Sequence, residues 1–167
     1  DDSVNEIQRP ISVNDESASV PDGYARWEKT NVEKQSQPGF NSVFIGLEAG
    51  DITANQLRSV AEIIRDYSAE GFARNGFSQN IVIRYVHDDD LKSMYSQLLE
   101  TGLAKTGSLT MASAVGCSGT TSCNLALTNS HRLAKEVQRK FLELNYDEDD
   151  DLKDSTIKIS GCPNSCG

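Results

Sequence analysis

The sequence predicts an α+β fold in which helices cover one face of a small sheet, followed by a segment that carries every cysteine. Strand-like and helix-like patterns alternate with short connections between residues 42 and 104, which indicates the sheet and its helices. Four cysteines lie in the last third of the 167-residue chain, which indicates a separate site. This length suffices for one compact domain, or for one domain and the start of another.

The first strand is predicted at residues 42–48, closed by Gly50 and Asp51. Thr53 and Gln56 then have the spacing of a capping box, in which each side chain hydrogen-bonds the backbone of the other at the start of a helix. Apolar residues at helical spacing follow the box: Leu57, Val60, Ala61, Ile64 and Tyr67.

A second strand and a second helix are predicted after residue 80. In the strand, one face carries Ile81, Ile83 and Tyr85 and the other carries Val82, Arg84 and Val86, so we expect both faces to be covered. The aspartates at 88–90 favour a helix start because the helix dipole is positive there. The helix would carry Leu91, Met94, Tyr95 and Leu98, and Gly102 would end it.

Composition divides the chain into three parts. Residues 1–41 are polar and rich in loop signatures, which predicts an N-terminal arm and loop, and residues 42–104 hold the predicted sheet and helices. Residues 105–167 begin with a linker at 105–108 and carry the cysteines. There we expect a strand at 109–115, a helix from Cys123 interrupted by the acidic run 147–151, and a strand at 156–160.

Charge and hydropathy exclude some classes of function. The net charge of −9 argues against nucleic acid as a partner, since its binding needs a basic face. No apolar run reaches the roughly 18 residues of a membrane helix, and the N-terminus lacks the order of a signal peptide. We therefore expect a cytoplasmic protein without a membrane partner, where paired cysteines more often bind metal than form disulfides.

The cysteines form two pairs, Cys117 with Cys123 and Cys162 with Cys166. Four thiolates suit either tetrahedral zinc or an iron–sulfur cluster. The wide gaps of five and three residues favour the larger cluster, and the glycine before each pair would let the backbone approach it closely. Zinc, or buried or disulfide-bonded cysteines without metal, remain alternatives on spacing alone.

The segment Gly-Cys-Pro-Asn-Ser-Cys-Gly at 161–167, together with the Cys-x5-Cys loop before it, resembles the cluster signature of the sirohaem-containing nitrite and sulfite reductases. The resemblance covers roughly residues 42–167. The family is built from two repeats, and the resemblance implies that residues 42–104 are the second ferredoxin-like half-domain, of βαβ type. It also implies that residues 105–167 are part of the nitrite/sulfite reductase [4Fe–4S] sirohaem domain.

The resemblance implies six-electron reduction of nitrite to ammonia or of sulfite to sulfide, with a [4Fe–4S] cluster and sirohaem as cofactors. Cys117, Cys123, Cys162 and Cys166 would be the cluster ligands, and Cys166 would also bridge to the sirohaem iron. The electron donor would be ferredoxin or a flavoprotein. The family binds its substrate anion in a first repeat, so we expect this chain, which ends at Gly167, to need the remaining half of the reductase and to be inactive alone.

The same resemblance implies that Arg74, Gln79 and Asn80 face the sirohaem, whose carboxylates need donors. An ordinary surface arginine is the alternative for Arg74. Asn164, between two cluster ligands, would donate to a sulfur or a haem carboxylate, or cap its own turn.

Other polar residues and other functions remain open. Thr120, Thr121 and Ser122 lie in the first cysteine loop, where hydroxyl groups tune a cluster. His131 and His87 are expected on polar surfaces rather than in a site. The rival functions are a haem-free iron–sulfur electron-transfer module and a zinc-binding structural domain.

Overall fold

A computed structural model of the chain describes residues 20–152 and 155–167. The helices are α1 (Tyr24–Asn31), α2 (Ala54–Tyr67), α3 (Leu91–Glu100) and α4 (Ser130–Glu143). The strands are β1 (Val32–Lys34), β2 (Phe40–Ile45), β3 (Ala73–Asn75), β4 (Ile81–His87), β5 (Val115–Gly116) and β6 (Lys158–Ile159). No helix within the described ranges combines the length and apolar character needed to cross a membrane.

Two separate sheets organise these elements. Strands β1 to β4 form an antiparallel sheet in the order β1-β2-β4-β3, and β5 pairs with β6 in parallel. Helices α1, α2 and α3 bury their apolar side chains against the four-stranded sheet. This confirms the predicted α+β class. We call residues 24–104 the sheet unit, and residues 105–152 with 155–167 the cysteine segment.

Local chemistry fixes the ends of the predicted helices. The backbone amide of Gln56 donates to the Thr53 hydroxyl at 3.2 Å, and the backbone amide of Thr53 donates to the side-chain oxygen of Gln56 at 3.1 Å. The predicted capping box is therefore present at the start of α2. Gly102 follows α3 with a φ of +70°, a conformation that glycine adopts without strain, so it ends the helix as predicted.

The predicted alternation along β4 is wrong at its end. Tyr85 has a φ of +55°, and the register with β2 shifts at this point, which is the geometry of a β-bulge. The extra residue turns Tyr85 outward, so Val86 joins Ile81 and Ile83 in the core. Val82 stays half-buried, so β4 is fully covered on one face only.

The arm and loop predicted over residues 1–41 is also wrong in part, because residues 24–34 form α1 and β1. Trp27 on α1 is fully buried, and its ring lies 5.0 Å from that of Tyr95 on α3. The Thr30 carbonyl accepts the Leu109 amide at 2.9 Å, which joins α1 to the cysteine segment. Residues 1–19 of the predicted arm lie outside the described residues.

The cysteine segment has less regular structure than predicted. The helix expected from Cys123 begins at Ser130, where the Asn129 side chain accepts the Arg132 amide at 3.0 Å. The strand expected at 109–115 is limited to β5, and the strand at 156–160 to β6. Helix α4 ends at Glu143, before the acidic run that was predicted to interrupt it, and Asn145 then has a φ of +57°. Asp147 of the run is buried because it pairs with Arg26.

Candidate metal centre

Both cysteine loops begin at the same end of the parallel strand pair, after the carboxyl ends of β5 and β6. Gly116 of β5 lies opposite Ile159 of β6, and the Cys117 amide donates to the Ile159 carbonyl at 3.1 Å. Parallel strands end on the same side of their sheet. Cys117 follows β5 at once and Cys162 follows β6 after two residues, so the two loops start side by side.

Cys117 has a polar environment suited to a thiolate. Its Sγ atom lies 3.0 Å from the Ser130 hydroxyl and accepts the Gly161 amide at 3.2 Å. The Ser130 hydroxyl, followed by the amides of Gly161 and Gly119, lowers the pKa of the Cys117 thiol below its usual range. The second cysteine loop thus donates directly to the sulfur of the first.

The glycine before each cysteine pair is needed for packing within the chain. A Cβ atom on Gly161 would lie 2.9 Å from the Thr128 carbonyl oxygen and 3.2 Å from the Gly119 Cα atom. A Cβ atom on Gly116 would lie 2.7 Å from the Ala134 Cβ atom. At these glycines the backbone therefore packs closely against α4 and the residues before it, whereas their predicted approach to a cluster stays a prediction.

All four thiols are free: Cys117 and Cys162 are half-buried, and Cys123 and Cys166 are exposed. Within residues 20–152 and 155–167, no three cysteine, histidine or acidic side chains are grouped closely enough to hold a metal ion. The structure brings the two loops together without gathering their four sulfurs. Four soft donors, one of which accepts an amide hydrogen bond, fit an iron–sulfur cluster in their chemistry.

Arg74 and Asn80 lie in one cleft on the outer face of the four-stranded sheet, about 430 Å³ in volume, whose described lining includes none of the cysteines. Arg74 pairs with Glu70 and stacks on Phe72, its guanidinium carbon 4.5 Å from the ring centre. Asn80 is 5% exposed, and its Oδ1 atom has no hydrogen-bond partner. An unpartnered buried acceptor beside a cleft is the kind of group that a ligand's donor could satisfy.

Gln79 is not among the residues that line this cleft, and its side chain binds the cysteine segment. Its Nε2 atom donates to the Gly116 carbonyl at 2.8 Å, and its Oε1 atom accepts the Gly116 amide at 3.2 Å. Asn164 lies exposed in the turn between Cys162 and Cys166. Of the four residues expected around the sirohaem, only Arg74 and Asn80 therefore share a cleft.

The structure assigns contacts that the sequence analysis did not expect. Ser130, rather than the hydroxyls at 120–122, lies against a cysteine sulfur. His131 contacts Asp51 at 3.2 Å, as expected for a polar surface, and His87 contacts Asp89 at 3.4 Å. No sequence pattern marked Ser130, because its helix was expected to begin at Cys123.

Comparisons with known proteins agree with this architecture. Residues 33–101 match the family model described as the nitrite/sulfite reductase ferredoxin-like half domain. The ferredoxin–nitrite reductase of Synechococcus elongatus is 28% identical over 144 residues, which cover 84% of this chain and 27% of that protein. Residues 33–101 are thus a nitrite/sulfite reductase ferredoxin-like half domain by this match, and most of the chain is similar to a nitrite reductase.

Other relatives match a similar share of the chain. Sulfite reductase (ferredoxin) 2 of Mycolicibacterium paratuberculosis is 26% identical over 77% of this chain and 23% of its own length. The structure of the NirA protein of Mycobacterium tuberculosis superposes with a TM-score of 0.60 and 25% identity, covering 82% of this chain and 25% of that one. The chain thus spans about a quarter of the length of the relatives that it matches.

Proposed function

We propose that this chain forms one part of a nitrite or sulfite reductase and that Cys117, Cys123, Cys162 and Cys166 hold a [4Fe–4S] cluster in it. The observation that carries the proposal is the hydrogen bond of 3.2 Å from the Gly161 amide to the Cys117 sulfur. Amide hydrogen bonds to cysteine sulfurs are one of the means by which proteins set the potential of iron–sulfur clusters. The bond also links the two loops that would share the cluster.

Cys166 would bind the sirohaem iron as well as the cluster, as the family resemblance implies. When bound, the cluster and sirohaem supply the electron transfer to the substrate anion. Arg74 would offer its guanidinium to a sirohaem carboxylate, which requires Glu70 to give up its ion pair. Asn80 and Asn164 would act as polar contacts, and the carboxamide of Gln79 is engaged by Gly116.

The chain's own polar groups would prepare Cys117 for its role. Ser130 is 1% exposed, and its hydroxyl lies 3.0 Å from the Cys117 sulfur and 3.0 Å from the Cys117 carbonyl oxygen, so its single hydrogen is shared between these two acceptors. The Gly161 and Gly119 amides add donors to the same sulfur. These groups lower the cost of holding a thiolate, which is the form that binds metal.

The substrate would be nitrite or sulfite, and the donor ferredoxin or a flavoprotein, in the cytoplasm. The matched relatives carry ferredoxin-dependent nitrite or sulfite reduction in their names. The chain corresponds to about a quarter of those relatives, and the half of the reductase that contains the family's first repeat would supply the anion site. The chain alone should therefore show no steady nitrite- or sulfite-dependent turnover.

Visible absorption of the chain after anaerobic preparation tests the proposal. A [4Fe–4S] cluster gives a broad brown absorption, and added sirohaem would give sharp tetrapyrrole bands that Cys166→Ser reduces. A cluster spectrum that no sirohaem alters would favour a haem-free electron-transfer module. A colourless protein that binds zinc would favour a structural domain and contradict the proposal.

A further inference from the structure

Strand β5, which leads into Cys117, has two hydrogen-bonding edges. On one edge, the amides of Val115 and Cys117 donate to the carbonyls of Ile157 at 2.8 Å and Ile159 at 3.1 Å. Alternate backbone groups of a strand point to opposite edges. The Gly116 amide and the carbonyls of Ala114 and Gly116 therefore face away from β6. Among the described strands, none pairs with β5 on that outer edge.

Gln79 of the sheet unit satisfies the peptide groups of Gly116 on this outer edge. The carboxamide donates to the Gly116 carbonyl at 2.8 Å and accepts the Gly116 amide at 3.2 Å. A carboxamide has the donor and acceptor arrangement of a peptide bond. The Gln79 side chain thus occupies the place of a neighbouring strand.

Gln138 of α4 binds the next carbonyl on the same outer edge, that of Ala114 directly before β5. Its Nε2 atom donates to the Ala114 carbonyl at 2.8 Å, and its Oε1 atom accepts the Ala49 amide of the sheet unit at 3.2 Å. Gln138 is 8% exposed. One buried carboxamide therefore joins the helix after the cysteine loop, the strand before it and the sheet unit.

Backbone conformation at two of these contacts is uncommon for residues other than glycine. Gln79 has a φ of +54° and Ala49 has a φ of +50°. Residues other than glycine rarely adopt this left-handed backbone region, and they remain in it only where surrounding contacts determine the conformation. Both strained residues take part in the carboxamide bonds, so these bonds hold the backbone at the junction of the two units.

We propose that Gln79 and Gln138 are positioning residues: together they hold the outer edge of β5 against the sheet unit and so fix the position of Cys117. This inference rests on the proposed function insofar as Cys117 is a cluster ligand. The two hydrogen bonds from Gln79 reach the residue immediately before that cysteine. The Gln138 side chain binds Ala114, two residues before Gly116 and directly before β5, and it belongs to the helix that contributes Ser130.

Amide exchange measured by NMR on the full chain without metal tests the hydrogen bonds. Gln79→Met keeps the shape of the side chain but removes its donor and acceptor, so the Gly116 amide should exchange about tenfold faster. Gln138→Met should have this effect on the Ala49 amide. Gln97→Met is the matched control, because Gln97 donates to the Tyr67 hydroxyl within the sheet unit. Unchanged Gly116 exchange in Gln79→Met would overturn the proposal.

Gln79→Glu provides a second variant in case Gln79→Met does not fold. Its protonated carboxyl can accept the Gly116 amide and donate to the Gly116 carbonyl, whereas its carboxylate places an oxygen against that carbonyl and repels it. The Gly116 amide should therefore be better protected, relative to neighbouring amides, below the pKa of the new carboxyl than above it, and equal protection at both pH values in a folded Gln79→Glu protein would count against the proposed contact.

The electron paramagnetic resonance spectrum of the reconstituted, reduced chain tests the effect on the site. Displacement of Cys117 should shift or broaden the spectrum in Gln79→Met and leave it unchanged in Gln97→Met. An identical spectrum in Gln79→Met would restrict Gln79 to stability and overturn its positioning role. Failure of the wild-type chain to take up iron and sulfide would instead contradict the proposed function, while the exchange experiment would still decide the contacts.

Discussion

Arg26 on the first helix donates its Nε atom to Asp147 at 2.8 Å, although 121 positions separate the two residues in the chain. A second guanidinium nitrogen pairs with the other carboxylate oxygen. The Asp147 side chain has 0% exposed surface, whereas Arg26 keeps 27%. Because a buried carboxylate is costly without its partner, this ion pair attaches the end of the cysteine-segment helix to α1.

Removal of the arginine should destabilise the chain strongly. Arg26→Met leaves the buried Asp147 carboxylate unpaired, so the free energy of unfolding in urea should fall by about 3 kcal/mol. Lys29→Met on the same helix is the matched control. Lys29 pairs with Asp150 at 3.1 Å with both side chains largely exposed, so its loss should change stability by less than about 0.5 kcal/mol. Equal effects of the two substitutions would refute the role of burial.

Trp27 should report folding of the sheet unit directly. It is the single tryptophan of the chain and is 0% exposed, so its emission should shift to longer wavelength on unfolding. Trp27→Ala should reduce the free energy of unfolding by about 3–5 kcal/mol, and Trp27→Phe by less because aromatic packing remains. Val20→Ala, at a residue that is 52% exposed, should have almost no effect. Native emission at the unfolded wavelength would contradict the buried position.

An acid-dependent contact should link Asp51 to α4. Lys135 donates to Asp51 at 2.6 Å and, with His131, lowers the pKa of its carboxyl below the usual range. The ionised Asp51 carboxylate therefore stabilises the fold at pH values above its unfolded-state pKa of about 3.9. This stabilisation is lost as the pH falls through the lower pKa of the folded state. Wild type and Asp51→Asn should therefore differ in unfolding free energy at pH 6, by less than about 1 kcal/mol, and converge once the pH has fallen below the lowered pKa of the folded state.

The measurement for Asp51 is urea unfolding of both proteins from pH 3 to pH 7. Lys135→Met should remove most of the same pH-dependent difference, since it removes the principal hydrogen bond. A gap between wild type and Asp51→Asn that widens toward low pH would have the wrong sign for this contact.

Gly161 should be sensitive to the smallest substitution. In Gly161→Ala, the new Cβ atom meets the Thr128 carbonyl oxygen at 2.9 Å, and backbone must shift to admit it. We expect a loss of about 1–3 kcal/mol in stability and reduced iron incorporation, since the Gly161 amide that faces Cys117 would move. Gly102→Ala is the control: it strains a backbone with a φ of +70° but meets no atom within 4 Å. It should lose stability without losing iron.

The features that the sequence predicts correctly are those determined by residues close together in the sequence. The capping box of Thr53 and Gln56 spans four positions, and the apolar spacing of α2 follows directly. The bulge at Tyr85 was missed because strand alternation assumes regular pairing, whereas the register with β2 shifts there. Local pattern does not predict the helix at residues 24–31, because the contacts that bury Trp27 come from α3 and the sheet.

Contacts between distant parts of the chain account for what the sequence did not predict at the site. The cysteine spacing and the resemblance gave the candidate ligands, but neither indicated that Gln79 contacts Gly116, 37 positions away. The acidic run at 147–151 has the composition of a solvated loop, and only the tertiary pairing with Arg26 buries Asp147. Such pairings are determined by packing of the two units rather than by local pattern.

Iron and sulfide content after anaerobic reconstitution tests the central claim most directly. Wild type should bind about four iron and four sulfide per chain, and each of the variants Cys117→Ser, Cys123→Ser, Cys162→Ser and Cys166→Ser should lose most of both. Ser165→Ala, between two of the ligands, should retain them. Full iron and sulfide content in any one of the four cysteine variants, or a wild-type chain that takes up only zinc, would contradict the assignment of these four thiols to one iron–sulfur cluster.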